Sequence, residues 1–272
     1  MKIQSILEAW SPEKMNEDHI YIWENTFWVF DGASSLIPFK SSDWETWWYL
    51  ASKIAKEIFE KYSHTEKSLE ELYEIINEEI REKMIEVWID TQAKEWLWCT
   101  TAASIRIDKD YINWTQITDA SIIVIYHDWT HIELSINSNH DVESLTKWMS
   151  LWDLPQKEKR KQVDDIVIWK RKRQNIDYWV LSWESEYKKF LNSWKISKKD
   201  IASIILFTDG LIPCKTHPES EDDYSQFVEI YRKSGLLWLH KWHRNIEKND
   251  PECTKFPRFK MHDDIWAISI DF

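Results

Sequence analysis

Glycine is scarce in this 272-residue chain: three residues, against twenty tryptophans. Ordinary usage near 7% would place about 19 glycines in this length, and tryptophan is not a common residue. The two counts stand exchanged. Cysteine is scarce as well: Cys99, Cys214 and Cys253 are scattered and odd in number, which suits a reducing cytosol better than a disulfide framework. No run approaches the roughly 18 apolar residues of a membrane span, and the N-terminal stretch has no apolar core of signal-peptide length. The expectation is a cytoplasmic chain with no membrane partner. A basic patch with interleaved aromatics is also missing, and the net charge is -12. Nucleic acid is therefore excluded as the main partner, and the charge reads as a solvated acidic surface.

With 43% hydrophobic residues and no evident linker, the chain reads as a single domain over residues 1–272. Tryptophan stands where a residue without a side chain is wanted. Trp129 follows Asp128 between two strand-like runs, where a tight hairpin turn needs positive φ. Trp194 follows a segment read as helical, where glycine is the preferred stop. Trp47 and Trp48 sit at a helix start. A gene that uses UGA for glycine, read with UGA as tryptophan, gives this exchange. Trp114 and Trp152, outside obvious turns, are the candidates for genuine tryptophan. The alternative is a protein truly rich in aromatic stacking surfaces.

Two short apolar runs, 19–22 and 26–30, read as a hairpin turning at 23–25. Apolar spacing predicts helices over 45–62 and 68–88, the second with Leu69, Leu72, Ile76, Ile80, Met84 and Val87 on one stripe. Runs 100–107, 111–118, 120–126 and 130–136 are dense in β-branched residues and read as an antiparallel meander. Residues 139–172 read as polar and irregular. A short helix is expected over 184–191, a buried strand over 201–207, one long helix over 222–243 and a closing strand over 265–272.

Carboxylates stand at four strand ends: Glu17-Asp18, Asp31, Asp209 and Asp263-Asp264. Asp31 and Asp209 are each followed by one of the few written glycines, Gly32 and Gly210. Oxygen donors of this kind suit hard divalent cations such as Mn²⁺ and Mg²⁺, and two cations sharing a carboxylate can activate one water. The bland alternative is a set of turn and capping aspartates.

The ordered set Asn16-Glu17-Asp18, Val29-Phe30-Asp31-Gly32, Thr100-Thr101-Ala102-Ala103, Asp119-Ala120-Ser121, Phe207-Thr208-Asp209-Gly210 and Asp263-Asp264-Ile265 resembles the metal-dependent type 2C (PPM) serine/threonine protein phosphatases. Reading Trp98, Trp179 and Trp183 as glycine improves the resemblance. It implies an α+β fold, a four-layer α-β-β-α sandwich of two antiparallel sheets flanked by helices. It also implies hydrolysis of phosphoserine and phosphothreonine on protein substrates, by a water activated between two Mn²⁺ or Mg²⁺ ions and without a phosphoenzyme. In that reading Asp31 bridges the ions, the Gly32 carbonyl adds a ligand, and Asp209 and Asp263 complete the first metal. Glu17 and Asp18 hold metal-bound water, and Asp119 matches an aspartate that in many members helps bind a third, weaker metal.

Three departures matter. Glu13 stands where many members place a phosphate-gripping arginine, with Lys14 adjacent as a substitute point charge. Ala33 replaces a histidine that some relatives use as general acid, and Thr118 replaces the glycine of the usual Gly-Asp-Ser motif. His19 and His262 flank the acidic motifs as candidate acids or orienting groups. The missing arginine motivates an alternative, a catalytically weak PPM-fold signalling module that binds phosphoproteins. A haloacid-dehalogenase-like site would need a second aspartate two positions after the first, and Ala33 and Leu211 stand there.

Overall fold

The computed structural model describes residues 1–9, 16–32 and 46–272, the side chains of Trp47 and Trp48 excepted. The strands are β1 (Lys2–Glu8), β2 (His19–Trp23), β3 (Thr26–Gly32), β4 (Thr100–Ile107), β5 (Tyr111–Ile117), β6 (Ser121–Tyr126), β7 (His131–Glu133), β8 (Asn192–Ser197), β9 (Ile201–Phe207) and β10 (Ile265–Asp271). The helices are α1 (Trp47–Tyr62), α2 (Leu69–Glu86), α3 (Val142–Ser150), α4 (Gln156–Lys172), α5 (Ser225–Ser234) and α6 (Leu236–Lys248). Two five-stranded sheets result, in the orders β2-β3-β4-β5-β8 and β1-β10-β9-β6-β7, with antiparallel pairing throughout.

The continuous apolar run of β3 follows from its having two buried faces. Phe27 and Val29 point between the sheets, meeting Ile122, Val124, Ile204 and Leu206. Trp28 and Phe30 point outward into Ala51, Phe59, Leu72 and Tyr73 of α1 and α2. In β9, Ile204 and Leu206 face inward while Ile205 and Phe207 meet Phe227, Tyr231 and Leu239 of α5 and α6. The fold is therefore the expected α-β-β-α sandwich. Ser68 caps α2 in a capping box: its hydroxyl accepts the Glu71 N–H at 3.2 Å, and its own N–H donates to Glu71 Oε2 at 2.6 Å.

Several elements differ from the sequence expectation. Residues 139–172 contain α3 and α4 rather than irregular chain. Only Lys159 and Val163 of α4 are buried, so the helix has almost no apolar stripe to read. The run 222–243 is two helices, broken at Gly235, which has φ +79 and donates its N–H to Tyr231 O at 2.7 Å. The four-strand meander is split: β4 and β5 pair, but β6 crosses to the other sheet and pairs with β9 and β7. Edge strands β1 and β8 differ from the expectation too: β1 alternates exposed and half-buried positions but exposes Ile3 and Leu7, and β8 buries no residue fully.

The tryptophans divide. Trp129 takes φ 70 in the turn between β6 and β7, as expected, and Trp88 and Trp183 also have positive φ, 62 and 81. Trp194 instead lies within β8, not at a helix end. Trp152 sits exposed in a turn rather than outside one, and at the first hairpin the positive φ falls on Glu24, not on Trp23. Trp28 is fully buried with its ring centroid 3.2 Å from that of Phe59, closer than the roughly 4.5–7 Å at which aromatic pairs settle.

Candidate functional site

The acidic residues are delivered by strand ends that meet at one edge of the sandwich. Asp31 is the penultimate residue of β3, paired with Thr101 of β4, and its carbonyl accepts the Thr100 hydroxyl at 2.6 Å. Asp209 stands two residues beyond the end of β9. The neighbouring Thr208 locks that end to β10: its N–H donates to Trp266 O at 3.0 Å, and its hydroxyl accepts the Trp266 N–H at 3.1 Å. A Cβ built on Gly210 would lie 1.9 Å from the Asp264 carbonyl oxygen. Glycine at 210 is thus what lets the Asp209 and Asp263 loops touch.

The N-terminal pair is tied to the same place. Glu17 N–H donates to Asp264 Oδ2 at 3.0 Å, and the Asp18 N–H donates to Asn16 Oδ1 at 2.9 Å. Thr46, the N-cap of α1, donates its hydroxyl to Glu17 Oε1 at 2.8 Å while accepting the Tyr49 N–H. Ser52 donates to Glu17 O at 2.5 Å and lies 2.9 Å from His19 Nδ1, which makes Nδ1 the protonated nitrogen of that ring.

Burial is the main cause that raises Asp18, Asp31 and Asp209 well above the ordinary aspartate range, and the neighbouring carboxylates add to it. Asp31 feels Asp209, Asp18, Asp119 and Asp263; Asp209 feels Asp263, Asp119 and Asp18. Burial raises Asp119 too, against the lowering effect of His140, and raises Glu17 against its bond from Thr46. Glu17, Asp18, Asp31, Asp119, Asp209, Asp263 and Asp264 therefore form one interacting set.

Two buried oxygens of that set, Asp18 Oδ2 and Asp119 Oδ1, have no hydrogen-bond partner. Asp18 and Asp264 are buried and the other carboxylates half-buried, and a crowd of oxygen donors of this kind has the chemistry that hard divalent cations take. Among the described residues, no group of three or more His, Cys, Asp or Glu side chains stands arranged to hold a metal ion. Glu13, Lys14 and Ala33 lie outside the described residues. Thr118 has φ 66, costly for a β-branched residue, and its buried hydroxyl is unpaired.

Both histidines that flank the acidic motifs have partners outside the clustered set. His19 is tied to Ser52 and packs against Tyr49, and burial lowers its pKa to about 4. His262 Nδ1 lies 3.0 Å from Glu247 Oε2 on α6. One functional candidate escaped the sequence reading altogether. Lys260 Nζ lies 2.6 Å from Asp263 Oδ1, and a single lysine in a polar segment gives no signal of such a place. A polar cleft of about 860 Å³ lies elsewhere, lined by Arg106, Glu70, Asp108 and Lys195 among others, and includes none of the clustered carboxylates.

No family model and no curated protein matches the sequence. Solved structures do match the fold. The serine/threonine phosphatase Stp1 from Staphylococcus aureus superposes with a TM-score of 0.61 at 12% identity, over 100% of this chain and 94% of that one. The catalytic domain of the serine/threonine protein phosphatase PstP in complex with two manganese ions gives 0.58 at 12% identity, covering 99% and 97%. PppA, a key regulatory component of the T6SS in Pseudomonas aeruginosa, gives 0.61 at 12% identity, covering 100% and 97%. In its sheets and layers this chain thus has the fold of bacterial serine/threonine phosphatases.

Proposed function

We propose that this chain is a cytoplasmic, metal-dependent protein phosphatase that hydrolyses phosphoserine and phosphothreonine, with residues 1–272 acting as one domain. The observation that carries the reading is the mutual electrostatic influence of Glu17, Asp18, Asp31, Asp119, Asp209 and Asp263 at one edge of a fold shared with such enzymes. Asp31, Asp209 and Asp263, with the Gly32 carbonyl, would hold two Mn²⁺ or Mg²⁺ ions; Glu17 and Asp18 would hold water beside them, and Asp119 a weaker third ion. When bound, such ions supply Lewis-acid polarisation of the phosphoryl oxygens and lower the pKa of a water.

The chain's own residues supply position. Thr208 and Gly210 bring the Asp209 and Asp263 loops together, Thr100 anchors the Asp31 backbone, and Thr46 and Ser52 hold Glu17. Water oxygen forms the new bond to phosphorus, the bond to the seryl or threonyl oxygen breaks, and that oxygen takes up a proton. No chain nucleophile is involved.

The reading includes glycine as the functional residue at most tryptophan positions. Positive φ at Trp88, Trp129 and Trp183 and the crowding of Trp28 against Phe59 support it. The test is hydrolysis of an aryl phosphate by the chain with glycine restored. Turnover should require Mn²⁺, stop with a chelator, and fall by at least about a hundredfold in Asp31→Asn or Asp209→Asn. Metal-independent turnover, or wild-type rates in both variants, would overturn it. Retained phosphopeptide binding without turnover would favour the signalling-module alternative.

A further inference from the structure

We infer that β1 is a self-association edge: two copies of this chain pair their β1 strands antiparallel about Ser5, joining two five-stranded sheets into one continuous sheet. The inference does not depend on the phosphatase reading.

Four strands stand at sheet margins, β1 and β7 in one sheet and β2 and β8 in the other. An edge strand offers a row of backbone donors and acceptors to any second strand, and proteins blunt such edges by shortness, bulges, proline or charge. Along its middle, β1 has none of these devices. It is the longest of the four, with seven residues against five in β2, three in β7 and six in β8, and its register with β10 runs unbroken from Lys2 to Glu8. Between those ends stand Ile3, Gln4, Ser5, Ile6 and Leu7, without a charge or a proline.

The inner face of β1 is unfinished. Ile3 and Leu7 stand opposite Ile270 and Trp266, and Ser5 opposite Ile268, while Ile268 and Ile270 belong to the core between the sheets. Ile3 and Leu7 therefore lie on the same face as that core, yet they are 39% and 55% exposed. Ile6, on the other face, packs with the cluster formed with α5 and α6. What lies open is the margin of the inter-sheet core, where a further strand would continue it.

The residues of β1 select that further strand. Of the four edges, β1 alone carries a lysine at one end and a glutamate at the other. Antiparallel pairing about Ser5 sets Lys2 of each copy against Glu8 of the other and Ile3 of each against Leu7 of the other. Opposite charges and apolar pairs directly across a ladder are favourable, and like charges there are not. Side chains alternate between faces, so Lys2 and Glu8 share the α6 side in this register while Ile3 and Leu7 share the core side. Glu8 touches His240 and Arg244 of α6, and 44% of its side chain remains exposed beside them. A self-complementary patch of this kind closes as a twofold dimer rather than growing into a fibre.

Sedimentation equilibrium of the full chain with glycine restored should show reversible association to a dimer and no further. A parent that is still monomeric at about 0.5 mM overturns the inference and leaves the edge to another chain's strand. Lys2→Glu should raise the dimer dissociation constant by about tenfold or more, since both end pairs become repulsive. An unmoved constant overturns the inference. Mixing Lys2→Glu with Glu8→Lys should restore dimers, because the like charges of each chain then meet their opposites on the other. Should Glu8→Lys not fold for want of its contacts with α6, crosslinking decides the register. Ser5→Cys should join two copies through a short bis-maleimide, and Ile3→Cys should not, because two Ile3 positions lie roughly 13 Å apart along strands so paired. Equal crosslinking of the two variants, or none in Ser5→Cys above the background of the parent, overturns the inference.

Discussion

Arg244 on α6 donates from Nη2 to the backbone carbonyl of Asp263 at 2.7 Å, and from Nη1 to Glu247 Oε2 at 2.8 Å. His262 Nδ1 lies 3.0 Å from the same Glu247 oxygen. Arg244 and Glu247 are both buried. Helix α6 thus grips the loop that carries Asp263 through a desolvated ion pair whose partners have little access to water.

Removing one partner of that pair should be costly. Arg244→Ala leaves Glu247 buried without its cation and should destabilise the fold by roughly 3–5 kcal/mol. The double variant Arg244→Ala, Glu247→Ala should lose less than the two single losses added. Denaturant unfolding of the four proteins checks both, and additive losses would mean that the pair is not coupled.

The same pair makes stability depend on acid. Glu247 is pulled up by its burial, but His243 and Arg244 outweigh this and hold it at about 2, below the ordinary 4.5. A depressed carboxylate contributes its full stabilisation above the unfolded value and loses it as pH falls through the folded one. The unfolding free energy should therefore fall between about pH 4.5 and 2, and that fall should be shallower in Glu247→Gln. An equal slope in the variant would show that other carboxylates carry the acid sensitivity.

Gly210 tests whether the two aspartate loops must touch. Its added Cβ would meet the Asp264 backbone oxygen at 1.9 Å, and a backbone atom cannot swing aside as a side-chain end can. Gly210→Ala should destabilise by on the order of 3 kcal/mol and weaken Mn²⁺ binding. A melting temperature within one degree of the parent would refute the close approach.

Trp88 isolates the glycine question from packing. It is 94% exposed with φ 62, so its ring contributes almost no burial while its Cβ strains the backbone. Trp88→Gly should stabilise the protein by about 1 kcal/mol. The gene offers a second check: the codons at Trp88, Trp129 and Trp183 should be UGA, and UGG at these positions would refute the exchange.

Much of the sandwich is legible in the sequence because sandwiched strands write their burial plainly. The run from Phe27 to Phe30 is apolar at every position since each residue meets either the opposing sheet or the helices. Helices α1 and α2 announce themselves by the helical spacing of their apolar residues. Edge strands β1 and β8 and the polar helix α4 are faint, because an element that buries little leaves a weak trace. The break at Gly235 is a backbone event inside a pattern that is helical on both sides.

The carboxylates and their order along the chain belong to the sequence alone, as does the glycine deficit. Chain order cannot say which of them share a volume, since Glu17 and Asp264 are 247 residues apart and still joined by a 3.0 Å hydrogen bond. Only the tertiary structure brings Asp18, Asp31, Asp119 and Asp209 into one interacting set, assigns His19 and His262 to other partners, and sets Lys260 beside Asp263. The physical reason is that local pattern records burial and backbone preference, whereas electrostatic coupling acts through space between strand ends that the sheets alone bring together.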